Sequence, residues 1–126
     1  MSSRVLLCEH DSVLARILIE FFASERIGVS ECASLEEIES ALIAYPDSVV
    51  MTDSWTDSRH GELSMCERDA INRLAQQTTV VITTARSWAQ KASGLNLAPR
   101  VNVIPKPYDL EQLLEVVRTA IQLTPA

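Results

Sequence analysis

The stretch Val49–Trp55, VVMTDSW, decides the fold. A mostly apolar run reaches one carboxylate, Asp53, and stops there. A short continuous apolar run is the pattern of a strand buried on both faces. A charge at its end is a turn residue, a helix cap, or a nucleophile held at the rim of a sheet. The segments on either side have to choose among these.

Working outward, apolar runs alternate with helical periodicity along the whole chain. RVLLC (residues 4–8) is a buried strand, and residues 12–25 form a helix with Val13, Leu14, Ile17, Leu18, Phe21 and Phe22 on its inner stripe. GVSECA is a weaker second strand. Ser34 then opens a helix with Glu37 three residues later, a capping-box pattern, and Leu35, Ile38 and Leu42 line its inner face. Pro46 closes that helix, and DSVVMT is the third strand. Residues 54–61 form a loop, and a helix over 62–76 points Leu63, Cys66, Ala70, Ile71 and Leu74 inward. TTVVITT is the fourth strand, 86–94 a short helix, 95–100 irregular, VNVI the fifth strand and 109–123 the last helix. That helix carries Leu110, Leu113, Leu114, Val117 and Ile121 as its stripe.

Five strand–helix units with strands apolar on both faces predict an α/β fold, a doubly wound five-stranded parallel sheet in a (βα)5 flavodoxin-like three-layer sandwich. Right-handed crossovers bring every strand's C-terminal end to one edge, where such sheets bind ligands. The 126 residues fit a single domain over 1–126, with no linker and no effector domain expected. At 47% hydrophobic the chain can bury a core without disulfides. A net charge of -6 argues against a nucleic-acid partner, whose phosphates call for clustered Lys and Arg. Cys8, Cys32 and Cys66 show no zinc or redox spacing and read as small fillers in a reducing compartment. No signal peptide or membrane span is evident, so a cytoplasmic protein is expected.

The strand tips supply the chemistry. Strand one ends in Glu9, His10 and Asp11, strand three in Asp53, and strand four in Thr83 and Thr84. Strand five runs into Pro105, Lys106, Pro107 and Tyr108. Acids, a hydroxyl and a lysine meeting at one edge form the set that phosphoryl transfer to a carboxylate requires. No GxxxxGK[ST], GxGxxG or hydrolytic triad is present.

With these residues the sequence resembles the receiver domains of two-component response regulators, over essentially its whole length. Gly61 follows Asp53 by eight residues, Thr84 and Lys106 lie 22 apart, PKPYD matches the Lys-Pro-aromatic signature, and EHD stands at the acidic pair. The resemblance implies Asp53 as phosphoacceptor, Lys106 as the phosphoryl-contacting cation and Thr84 as the switch hydroxyl. It implies a Mg²⁺ site, with Mn²⁺ as a substitute, made by Glu9, Asp53 and the Trp55 carbonyl. It also implies a cis bond before Pro107, a histidine kinase or phosphotransfer protein as donor, a downstream protein target, and homodimer pairing through the last strand and its flanking helices.

Three positions depart from the pattern. His10 stands where the family has a metal-binding aspartate, and magnesium prefers oxygen. Losing a carboxylate at ~4 Å removes roughly 4 kcal/mol of attraction per unit charge at an effective dielectric of 20. Asp11 and Asp57 are the acids left to compensate, and His10 reads as a site-lining residue, a metal ligand or a modulator of the acid cluster. Val103 replaces the aromatic switch residue, and Asp57 a proline. The leading reading is a phosphoacceptor signalling domain rather than a dedicated enzyme. The alternatives are a pseudo-receiver that only docks partners and a small enzyme on the same sheet.

Overall fold

The computed structural model describes residues 4–53, 65–84, 97–106 and 108–123. Its elements are β1 (Arg4–Cys8), α1 (Ser12–Ser24), β2 (Gly28–Glu31), α2 (Leu35–Ala44), β3 (Val49–Thr52), α3 (Met65–Ala75), β4 (Val80–Thr84), β5 (Val101–Pro105) and α4 (Leu110–Leu123). All strand pairings are parallel, in the order β2-β1-β3-β4-β5. This is the flavodoxin-like order, and the connections reverse direction between β1 and β3. The short helix expected over 86–94 and the loop over 54–61 lie outside the described residues.

The helix starts follow from their caps. Asp11 accepts the N–H groups of Val13 and Leu14 at 3.0 and 3.1 Å, satisfying two donors that the first turn leaves free. Ser34 Oγ accepts the Glu37 N–H at 3.2 Å, and Glu37 reaches back to the Ala33 N–H at 3.1 Å. After the C-cap Glu25 of α1 comes Arg26, whose φ of 64° is the left-handed conformation in which glycine is the usual residue. The N–H of Ile27 then bonds the Phe22 carbonyl at 2.9 Å and closes the turn.

Two apolar layers sandwich the sheet. On one face Val5, Leu7, Val49, Met51, Val81 and Ile104 pack against α1 and α4. On the other, Leu6, Cys8, Val50, Val80 and Ile82 pack against α2 and α3. Asn72 on α3 also accepts the Ala98 N–H at 2.8 Å, which ties the approach to β5 onto that helix.

Two expected inner faces are corrected. The buried ridge of α1 is Ala15, Leu18 and Phe22, whereas Val13 is 68% and Ile17 45% exposed. Ala15 is small enough to seat the helix close on the sheet, which turns Val13 and Ile17 outward. Cys66 is exposed on α3, while Ala70, Ile71 and Leu74 are buried as expected.

The phase of α1 is testable by unfolding in urea. Leu18→Ala is expected to lower stability by about 2–5 kcal/mol. Val13→Ala is expected to change it by less than about 0.5 kcal/mol. Equal losses would contradict the observed face.

Candidate functional site

Side chains alternate along a strand, and parity sets what reaches the sheet's C-terminal edge. Val5 and Leu7, Val49 and Met51, and Ile104 all belong to the α1/α4 layer. The next residues of that parity are Glu9, Asp53 and Lys106. The backbone ladder holds two of the tips in place: the Asp53 N–H bonds the Cys8 carbonyl at 2.8 Å and the Lys106 N–H the Thr84 carbonyl at 2.9 Å.

The three charges meet. Lys106 Nζ lies 2.8 Å from Glu9 Oε1 and 3.6 Å from Asp53 Oδ2. The Glu9 side chain is only 1% exposed and that of Asp53 20%, so Asp53 is the carboxylate an incoming group can reach. A buried carboxylate persists only when paired. Glu9 has Lys106 on one oxygen and the Asp11 N–H on the other, at 3.1 Å.

The remaining candidates divide. His10 is exposed, with Nδ1 3.7 Å from Asp53 Oδ2, beyond hydrogen-bonding distance. Asp11 is committed to capping α1, which removes it as a substitute for the missing aspartate. Thr84 is buried at the tip of β4 and shares the parity of Val80 and Ile82, the layer opposite Asp53. Val103 is half-buried against that same layer. Trp55, Asp57, Gly61 and the cis bond expected before Pro107 lie outside the described residues.

Two further groups belong to the site. Thr83 has the parity of Val81, hence the Asp53 side, and its buried hydroxyl has no partner among the described residues. Tyr108 packs on the same layer, and its buried hydroxyl is likewise unpartnered among the described residues. The sequence placed Thr83 and Tyr108 at the strand tips but assigned neither a role; alternation within TT could have indicated the side Thr83 faces. Burial, followed by the charges of Glu9 and Asp53, pushes the Tyr108 phenol up to about 12. Burial chiefly, with Asp53 and Glu9 adding to it, also raises the Cys8 thiol, so this neighbour stays protonated.

Among the described residues the donors fit magnesium poorly. Both Glu9 oxygens are engaged, Asp11 is a cap, and His10 offers nitrogen to an ion that prefers oxygen. Among the described residues no group of three or more His, Cys, Asp or Glu could hold a metal.

The Tyr108 shift has a sign. Because the folded chain holds the phenol proton more tightly, this contribution to stability is complete below pH 10.0. It is lost as pH rises from there towards about 12. In a Tyr45→Phe background, phenolate absorbance of the folded protein is expected to rise with a midpoint near 12.

No protein-family model matches the chain. It is similar to the response regulator ArlR of Staphylococcus aureus, at 30% identity over 125 residues, 98% of this chain and 54% of that protein. The chain therefore spans about half the length of the curated relatives it matches. Its fold is similar to a response regulator receiver protein from Sinorhizobium medicae, with a TM-score of 0.73 at 15% identity and 98% of each chain covered. A transiently phosphorylated switch of bacterial signal transduction superposes with a TM-score of 0.69 at 22% identity, over 96% of this chain and 95% of that one. The chain has the fold of response regulator receiver domains, and the similarity runs the length of the fold described above.

Proposed function

We propose that this receiver domain accepts a phosphoryl group on Asp53 from a phosphohistidine of a histidine kinase or phosphotransfer protein. The observation that carries the reading is the Lys106 ammonium standing 2.8 Å from Glu9 and 3.6 Å from the more exposed Asp53. An Asp53 oxygen forms the new P–O bond in line as the P–N bond breaks, and the imidazole leaves with the electron pair. The product is an acyl phosphate. Lys106 meets the charge on the phosphoryl oxygens, the preorganised electrostatic role that dominates such transfers.

The same geometry supports a switch. Thr84 has the strand parity of Val80 and Ile82, which pack on the layer opposite Asp53, so by alternation its hydroxyl turns across the tip of β4 to reach a phosphoryl oxygen. That movement biases a face between two conformations, and a downstream protein or a second copy of the chain reads the result. Val103 is smaller than the aromatic ring the family uses here, so less surface changes with it. Magnesium, the ion receiver domains use at this site, binds weakly because His10 removes a carboxylate. The site lies among residues that do not carry the chain through a membrane: no described helix is long and apolar enough to cross one.

Incubation with a small-molecule phosphodonor followed by intact-mass measurement tests the acceptor. The parent is expected to gain one phosphate and Asp53→Asn none. Lys106→Ala is expected to slow the gain by roughly a hundredfold, the effect of removing one transition-state donor. A parent that gains nothing from either a phosphodonor or a kinase would instead be a docking module. Isothermal titration tests the role of His10 separately. His10→Asp is expected to bind Mg²⁺ at least about tenfold more tightly than the parent, from the carboxylate restored near the ion. Equal affinities would refute the account of this position.

A further inference from the structure

Glu9 presents a problem that phosphorylation makes worse. Its side chain is almost completely buried, and its one cationic partner among the described residues is Lys106 at 2.8 Å. A phosphoryl group on Asp53 places new negative charge within reach of that same ammonium, which is 3.6 Å from Asp53 Oδ2. Lys106 is a point charge on a flexible stem and follows the stronger field. Glu9 is then left with the Asp11 N–H alone. A buried carboxylate deprived of its counter-ion is strongly destabilising.

We propose that Tyr108 is a positioning residue whose buried phenol takes over the Glu9 carboxylate when Lys106 turns to the phosphoryl group. The inference rests on Asp53 being the phosphoacceptor. Three observations point to Tyr108. Its hydroxyl is buried and has no partner among the described residues, an uncommon state for a native polar group. Its ring packs on the α1/α4 layer, the layer whose strand parity delivers Glu9, Asp53 and Lys106. Apart from burial, the charge it feels most is that of Glu9, ahead of Asp53, and with a phenol near 12 it remains a donor at neutral pH. Thr83, the other unpartnered hydroxyl on this side among the described residues, is on β4, the strand paired with β3, whereas Tyr108 follows Lys106 by two residues and packs on the layer that carries Glu9.

The exchange can be tested without phosphorylation, by removing the cation instead. In the parent, Tyr108→Phe deletes an unpartnered hydroxyl and is expected to change the unfolding equilibrium constant by less than about threefold. In a Lys106→Met background the phenol is expected to hold Glu9, so Tyr108→Phe should raise the unfolding constant by roughly tenfold or more. Lys106→Gln serves the same purpose if the methionine variant does not fold. Adding Glu9→Gln should abolish the extra effect, which a merely structural role for the ring would not predict. Equal effects of Tyr108→Phe in all backgrounds would overturn the proposal. Beryllofluoride titration, which mimics the phosphoryl group, distinguishes the two readings. A parent that fails to bind it argues against Asp53 as acceptor, while the stability cycle still decides the role of Tyr108.

Discussion

The site depends on one constraint: a carboxylate with 1% exposure has to be neutralised by a lysine delivered from another strand. Glu9 follows β1 and Lys106 follows β5, at separate places in the sheet. They meet because parallel strands in fixed register bring residues of one parity to one edge. A one-residue slip of β5 would send Lys106 to the α2/α3 side and leave Glu9 buried without a cation. The apolar pattern of the sheet therefore protects the site as well as the core, since Ile104 and Lys106 share a parity and the same slip would misplace both.

Three neighbouring acids have been given different work by their surroundings. Asp11 caps α1 and is spent on backbone donors. Glu9 is buried and holds Lys106 in place. Asp53 is the carboxylate with an open side and only a longer contact to the ammonium. Accessibility and prior commitment, rather than residue type, set Asp53 apart as the acceptor in the proposed function. The buried Cys8 thiol below it, held protonated, offers no competing nucleophile.

Much of this was legible in the sequence. Continuous apolar runs gave the strands, and the capping box at Ser34 gave one helix start, because both signals are local; the Asp11 cap of α1 was not read from the sequence. The phase of α1 was not legible, since Val13 and Ile17 satisfy a helical period as well as Ala15, Leu18 and Phe22 do. Only the close seating of Ala15 on the sheet resolves it. Cys66 failed for a related reason: a small apolar residue is compatible with either face of α3, and its neighbours decide. The sequence brought Glu9, Asp53 and Lys106 to one edge. It did not indicate that Lys106 would sit closer to Glu9 than to Asp53, because that is a property of side-chain depth.

His10 changes the electrostatics of the site in two opposing ways. A carboxylate in its place would repel the incoming phosphoryl group, so the imidazole eases that approach. The same carboxylate would attract a divalent ion, so the imidazole weakens that binding. Both effects scale with charge over distance, at roughly 4 kcal/mol per pair of unit charges at 4 Å and an effective dielectric of 20. A divalent ion would carry two charges, so the loss of metal attraction would be the larger effect. In the proposed transfer Lys106, 3.6 Å from Asp53, supplies positive charge opposite the phosphoryl oxygens, and any residue that frees it from Glu9 gains in importance.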